Sequence, residues 1–311
     1  MFKKIQKMIS SEELKALYPV KDRAFKMQRD NEIKAALEGR NNKFLVILGP
    51  CSLDSEQGIF EYLSALKNFE ELVKQKILLI PRLFSAKPRT FNGYRGLMHE
   101  EDGLIKTRKI LTSAINDFGL SGADELLYLF SYEYFEDVIS YYTIGARSAV
   151  NQEHRFFASG IDVAVGIKNP LNGDLKLLEN SIAIAKNPSS FYSNGYMVET
   201  NGNPYAHGIL RGFQNSLGAH FNNMAEARRL RNSSIIIDLG HSNSKKSHTV
   251  MKQNYKHILS LLSNKNIKGI MFESYLKEGR SDEPIFGQSI TDACIGLKDT
   301  KKILLDLYER L

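Results

Sequence analysis

Residues 43–52 read KFLVILGPCS, an apolar run from Phe44 to Leu48 that stops at Gly49-Pro50-Cys51-Ser52. A run this short, closed by Gly and Pro, reads as a fully buried strand rather than a helix. The turn after it separates the two architectures built from such strands. A doubly wound dinucleotide-binding sheet carries G-x-G-x-x-G at this point, and Gly49-Pro50-Cys51 is not that fingerprint. Onward from here, short apolar runs alternate with longer amphipathic stretches, the pattern of βα units around a parallel sheet. Strands are expected at 43–48, 77–83, 122–127, 142–146, 163–168, 196–210 (with an inserted hairpin), 235–239 and 268–273. Helices are expected at 56–75, 103–117, 151–159, 174–186, 220–231, 246–262 and 291–310. Eight units in about 270 residues are the size of an α/β (β/α)8 TIM barrel.

The first stretch differs. Ser10 and Glu13 fit a capping box, and a helical pattern runs from there to Glu38 before Gly39 stops it. The expected organisation is an N-terminal helical extension over 1–40 and a barrel over 41–311, with the inserted hairpin near strand six.

The whole chain of 311 residues is 42% hydrophobic and 25% charged, which argues against disorder and repeat scaffolds. Its apolar runs fall well short of the roughly 18 residues of a membrane helix. The first residues mix Lys3, Lys4 and Lys7 with scattered apolar positions instead of a continuous secretory core. Two cysteines, Cys51 and Cys294, are too few for a disulfide scaffold, so a cytoplasmic, reducing location is expected. The net charge of +7 comes from 42 Lys and Arg against 35 Asp and Glu. Lysines are dispersed and no basic block stands out, which favours small anionic ligands over nucleic acid or a membrane surface.

In a barrel, function sits at the C-terminal strand ends. Those positions hold Cys51 after strand one, then Arg82, Lys87, Arg89 and Thr90 after strand two, and Glu125 at strand three. Arg147, Lys168 and Arg211 follow at strands four to six, with Asp238 and His241 at seven and Glu273 and Asp292 at eight. Charged groups just past apolar strands are costly to bury without a ligand. Cys51, His241, Glu273 and Asp292 form a mixed thiolate, imidazole and carboxylate set suited to a borderline divalent ion. Taken singly, Cys51 reads first as a buried core thiol and His241 as a satisfied loop histidine. The cations Arg82, Lys87, Arg89, Arg147, Lys168 and Arg211 suit ligands with several negative charges, such as two phosphorylated substrates. Arg95, His154 and Arg155 read as structural or rim positions.

Gly49-Pro50-Cys51-Ser52, Lys87-Pro88-Arg89-Thr90, Gly145-Ala146-Arg147, Gly166-Ile167-Lys168-Asn169, Ile209-Leu210-Arg211-Gly212, His241-Ser242-Asn243-Ser244, Glu273-Ser274 and Ser289 to Cys294 occur in one order. Together, over roughly residues 40 to 300, they resemble the signature blocks of class I 3-deoxy-D-arabino-heptulosonate 7-phosphate (DAHP) synthase. The resemblance implies a metal-dependent barrel enzyme that condenses phosphoenolpyruvate with erythrose 4-phosphate on the route to chorismate and aromatic amino acids. By similarity, Cys51, His241, Glu273 and Asp292 hold one divalent ion per subunit, Mn2+ first, with Fe2+, Co2+ or Zn2+ as alternatives. Arg82, Lys87, Arg147, Lys168 and Arg211 hold phosphoenolpyruvate, and Lys87, Pro88, Arg89 and Thr90 hold erythrose 4-phosphate. Lys87, Glu125 and His241 are the expected catalytic residues, Lys87 as proton donor and Glu125 as the group that positions water. A homodimer or homotetramer and an aromatic amino acid inhibitor are implied too, with the extension and hairpin as their places. The departures are Ser148-Ala149-Val150-Asn151-Gln152 where some branches are acidic, Tyr275 in place of His, and Leu297 in place of a usual Trp. The alternatives are a sister condensation with arabinose 5-phosphate, as in 3-deoxy-octulosonate 8-phosphate synthase, or an inactive regulatory barrel.

Cys294 lies two residues beyond Asp292, which is expected to share an ion with Cys51, so metal-free protein should oxidise to a Cys51–Cys294 disulfide that thiols reverse. Peptide mapping checks this, and a Cys294→Ala variant inactivated just as fast would contradict it.

Overall fold

The computed structural model describes residues 2–5, 7–89, 93–193, 195–230 and 233–311. Two helices, α1 (Ser11–Leu17) and α2 (Arg23–Glu38), precede the first strand. Then follow β1 (Phe44–Gly49), α3 (Glu56–Val73), β2 (Ile77–Pro81), α4 (Gly103–Asn116), β3 (Gly122–Glu125), α5 (Tyr132–Phe135) and β4 (Ile139–Ile144). The middle of the chain forms α6 (Gln152–Ala158), β5 (Ala164–Lys168), α7 (Leu175–Lys186), a hairpin of β6 (Ser190–Ser193) and β7 (Tyr196–Glu199), and β8 (Ala206–Leu210). A second small hairpin, β9 (Phe213–Gln214) and β10 (His220–Phe221), leads to β11 (Ile235–Asp238), α8 (His248–Leu259), β12 (Ile267–Tyr275), β13 (Ile295–Gly296) and α9 (Leu297–Arg310).

Eight parallel strands pair in the order β2-β1-β12-β11-β8-β5-β4-β3. A parallel bridge between Arg82 and Ala123 joins the two ends, so the sheet closes into the expected (β/α)8 barrel. The strands are buried on both faces, which is why they read as continuous apolar runs instead of alternating ones. Their outward side chains meet helix stripes such as Ile59, Tyr62, Leu63 and Leu66 of α3. Ser55, Asp174 and Ser247 cap α3, α7 and α8 by accepting backbone N–H groups.

The inner face forms a separate core. Leu45, Ile47, Leu78, Ile80, Ala123, Tyr141, Ala164, Ile209, Ile236 and Met271 pack there with Ile33, Ala36 and Leu37 of α2. Helix α2 contacts β1, β4 and β5, so it seals the N-terminal end of the barrel. Arg29 of this helix is anchored by Glu70 at 2.7 Å and by the Leu79 carbonyl at 2.8 Å.

Four expectations change. The single N-terminal helix is two, because Tyr18 precedes Pro19 and is pushed out of helical backbone. The helix expected over 220–231 is β10 followed by a 3-10 turn at Met224–Arg228. There the Asn222 side chain accepts from Met224 N and the Asn223 side chain from Gly212 N, which draws the backbone away from helix. Strand four begins at Ile139, three residues early, and α9 begins only at Leu297 because Cys294 pairs its backbone with Gly279 instead. The hairpin expected near strand six is β6–β7.

Truncating Ile33 to Ala opens the sealed end and should cost about 2–5 kcal/mol. The exposed Met27→Ala on the same helix should cost under about 0.5 kcal/mol. Calorimetry compares the two, and equal Tm values would mean that α2 does not close the barrel.

Candidate active site

Side chains alternate along a strand, so two residues beyond each inner apolar position the next side chain also faces the barrel axis. Two beyond Ile80, Ala123, Ile209, Ile236 and Met271 come Arg82, Glu125, Arg211, Asp238 and Glu273, and Lys168 follows Gly166 on β5 in the same way. All six are buried. The strand period thus sets a charged layer on top of an apolar one.

Four of these six charges pair within the layer. Arg82 Nη2 lies 3.6 Å from Glu273 Oε1, and Lys168 Nζ lies 3.6 Å from Asp238 Oδ2. Both cations stand over the Phe84 ring, at 3.9 Å and 5.6 Å from its centroid. Arg82 also donates to the Pro50 carbonyl and so ties down the loop that carries Cys51.

Three glycines make room for the carboxylates and for the strand-one turn. A Cβ on Gly145 would sit 2.2 Å from Glu125 Oε1, and one on Gly240 would sit 2.2 Å from Glu273 Oε2. One on Gly49 would sit 2.3 Å from the Arg82 carbonyl oxygen. Gly49 is therefore a steric requirement of its turn, because backbone lies against it, while Gly145 and Gly240 leave room for the buried carboxylates. His241, Lys245 and Lys246 have φ of 51°, 52° and 62°, a left-handed backbone that costs a non-glycine residue about 1 kcal/mol. The Arg211 carbonyl, which accepts from Ser242 N and Asn243 N at 3.1 Å each, holds this turn in place.

The four expected ligands fall into two contacting groups. His241 Nδ1 is 2.8 Å from Asp238 Oδ2 and 3.6 Å from Glu273 Oε1, and these three atoms are buried without a hydrogen-bond partner. One ligand atom from each of these residues lies within 4.8 Å of the others, a spacing that can hold a metal ion. Cys51 Sγ is 3.3 Å from Asp292 Oδ2, and Lys87 Nζ contacts both, reaching Asp292 at 2.9 Å. Lys246 Nζ takes the other Asp292 oxygen at 3.1 Å.

Electrostatics follow from this packing. Burial opposes ionisation of Asp292, but Lys87 and Lys246 outweigh it and hold the carboxyl well below its usual range. Burial likewise disfavours charge on Asp238, and His241, Lys168 and Arg82 overcome it. Lys87 is raised, because Cys51 and Asp292 outweigh its burial, whereas burial dominates at Lys168 and at His241 and lowers both.

Arg82, Lys87, Pro88, Arg89, Glu125, Arg147, Arg211, His241 and Asp292 line one cavity of about 320 Å³. Cys51 and Glu273 contact its lining residues Asp292 and Arg82, and Lys168 pairs with Asp238, which contacts the lining His241. Thr90 lies outside the described residues. The sequence reading placed Asp238 at a strand end without a task; the structure makes it the third member of the His241 cluster. Lys246 also went unrecognised, as did Gln214 and His220, which line the cavity from the β9–β10 hairpin. Period-two spacing from Ile236 points to Asp238, but reading 220–231 as helix hid His220. His220 bonds Gln214 at 2.9 Å and Ser242 at 3.1 Å, next to His241. Tyr275 turns away from the cavity, donating to Asp54 at 2.9 Å and packing edge-on to Tyr62. Ser148 to Asn151 form the turn that caps α6.

Residues 19–305 match the DAHP synthetase I family. The chain is 33% identical over 320 residues to phospho-2-dehydro-3-deoxyheptonate aldolase of Haemophilus influenzae, an alignment that covers 94% of this chain and 88% of that one. It is 35% identical over 303 residues to the Phe-sensitive enzyme of Escherichia coli, covering 88% and 85%. The structure of phospho-2-dehydro-3-deoxyheptonate aldolase from Francisella tularensis superposes with a TM-score of 0.93 at 29% identity, covering 100% of this chain and 98% of that one. Likeness in sequence and in three dimensions over nearly the full length agrees with the layered barrel mouth, and the chain belongs to the DAHP synthetase I family.

Proposed function

We propose that this cavity carries out the family's reaction with the residues placed in it above. As a DAHP synthase, the protein condenses phosphoenolpyruvate with D-erythrose 4-phosphate and water to give DAHP and phosphate, the first step of the shikimate pathway. The observation that carries the residue assignment is a single cavity where a crown of cations meets an imidazole and carboxylates, with the Cys51 thiol directly behind Lys87 and Asp292.

Arg82, Lys87, Arg147, Lys168 and Arg211 bind phosphoenolpyruvate. Arg211 is buried with Nε and Nη1 unpartnered, a guanidinium fork kept for a ligand's oxygens. Lys87, Pro88 and Arg89, with Thr90, bind erythrose 4-phosphate. Fixed cations offset the repulsion between two anionic substrates and hold their reacting carbons close. The buried imidazole of His241 and the unpartnered Oε1 of Glu273, with the nearby thiol and Asp292, fit a borderline divalent ion, Mn2+ first, with Fe2+, Co2+ or Zn2+ as alternatives. Cys51, His241, Glu273 and Asp292 would hold that ion, which when bound polarises the aldehyde oxygen as a Lewis acid. Asp238 accepts from Gly240 N at 2.9 Å and stands behind His241, where it orients the imidazole. Lys87, kept protonated by Cys51 and Asp292, gives the proton to the new hydroxyl. Glu125, wedged against Gly145, positions the water that completes C2.

A second, larger cavity of about 890 Å³ lies under the β6–β7 hairpin, lined by Phe130, Tyr132, Phe156, Phe157, Phe191 and Met197 among others. Escherichia coli relatives are named Trp-sensitive and Phe-sensitive. That apolar, aromatic lining supports an aromatic amino acid as inhibitor here. The extension over 1–40 and the β6–β7 hairpin are the proposed contacts of a homodimer or homotetramer built on the 41–311 barrel. Among the described residues no helix is long and apolar enough to cross a membrane, and we place the enzyme in the cytoplasm.

Phosphate release measured with erythrose 4-phosphate beside arabinose 5-phosphate tests the reading. Turnover is expected with the four-carbon sugar, lost on chelation and restored by Mn2+; full activity after chelation, or turnover with the pentose alone, would overturn it. Arg147→Ala and Arg211→Ala should raise KM for phosphoenolpyruvate about 10- to 100-fold, and Arg89→Ala should do so for erythrose 4-phosphate. Equal effects on both substrates would contradict the assignment.

A further inference from the structure

Asp124 is fully buried on β3, one residue before Glu125, and alternation turns it away from the cavity. Its carboxylate accepts three hydrogen bonds. Oδ1 takes Ser85 N at 2.9 Å and Glu125 N at 2.7 Å, and Oδ2 takes the Ser85 hydroxyl at 2.7 Å. Among the described residues no cation pairs with it, and burial pushes its carboxyl up to about 7 against the pull of those bonds. A buried carboxylate with no ion-pair partner costs stability, which raises the question of what it does at this position.

Its surroundings supply an answer. Strand β2 ends at Pro81, and the seam with β3 consists of the Arg82–Ala123 bridge followed by Leu83 N donating to the Ala123 carbonyl at 2.8 Å. Beyond that point the Asp124 side chain takes over as acceptor for the departing chain. Ser85 is fixed on every polar group: N and Oγ to Asp124, and its carbonyl to Met98 N at 3.1 Å. A Cβ on Gly96 would sit 2.4 Å from that carbonyl oxygen, so the returning loop presses on the same root. Two residues on, Lys87 N donates to the Arg95 carbonyl at 2.8 Å while its amine reaches Cys51 and Asp292. Arg89 Nε donates to the Tyr94 carbonyl at 2.8 Å.

We propose that Asp124, acting through Ser85, is a positioning residue that fixes the root of the Lys87–Arg89 segment and thereby sets the enzyme's grip on the phosphorylated aldose. This rests on the assignment of that segment to erythrose 4-phosphate. Steady-state kinetics on the full-length enzyme test it with Asp124→Asn and Ser85→Ala, and with Arg89→Ala as reference. The expected result is a rise in KM for erythrose 4-phosphate of about tenfold in Asp124→Asn and about threefold in Ser85→Ala, well above any rise in KM for phosphoenolpyruvate, which draws only Lys87 from this segment. If Asp124→Asn does not fold, Ser85→Ala decides alone, since it keeps the backbone bond. If Arg89→Ala weakens the aldose while the seam variants only lower Tm or shift both KM values equally, Asp124 merely holds the seam and the proposal falls. A silent Arg89→Ala would instead overturn the aldose assignment, and the proposal with it.

Discussion

Three cations, two of them buried and the third largely so, each within 2.9–3.6 Å of a carboxylate, make this barrel mouth possible: Arg82 with Glu273, Lys168 with Asp238, and Lys87 with Asp292. None of these groups could stay charged alone at such depth. Pairing keeps them ionised, but it does not make them a source of stability, because desolvation consumes most of the Coulomb attraction. The mouth is therefore a liability carried by the rest of the molecule. The helix layer outside the sheet and the apolar layer inside it, closed by Ile33, Ala36 and Leu37, provide the compensating burial.

Much of this was legible in the sequence because a strand has period two and a barrel has an inside. Once Ile80, Ala123, Ile209 and Met271 are read as inner positions, Arg82, Glu125, Arg211 and Glu273 must follow them into the mouth. Pro19 equally announced the break between α1 and α2, and was overlooked within an otherwise helical pattern. The Asn222 and Asn223 contacts were beyond reach, since apolar spacing does not register side chains that rebond the backbone. The same blindness hid Gln214 and His220. Asp124 and Ser85, far apart in sequence, meet only because the barrel closes between β2 and β3.

The signature blocks also acquire a physical meaning. Gly145 and Gly240 are small because carboxylate oxygens occupy the space where a methyl would be, and Gly49 because a neighbouring backbone does. His241 accepts a left-handed backbone because the Arg211 carbonyl holds the next two amides. The mouth's cations, candidate ligands and glycines are thus packed against one another, each glycine giving room to a neighbouring group.

The pairing of β1 with β12 has a consequence for how the chain is made. Leu45 lies beside Gly269, so the first strand of the barrel finds one of its two neighbours only near the end of synthesis. Helix α2 leaves the ribosome before any barrel strand, yet the inner apolar layer it covers draws on all eight of them and is complete only after β12. During that interval its apolar face has nowhere to pack. Such long-range closure folds slowly and exposes sticky surface while it waits. The segment that finally seals the barrel is thus the one a nascent chain must keep shielded longest.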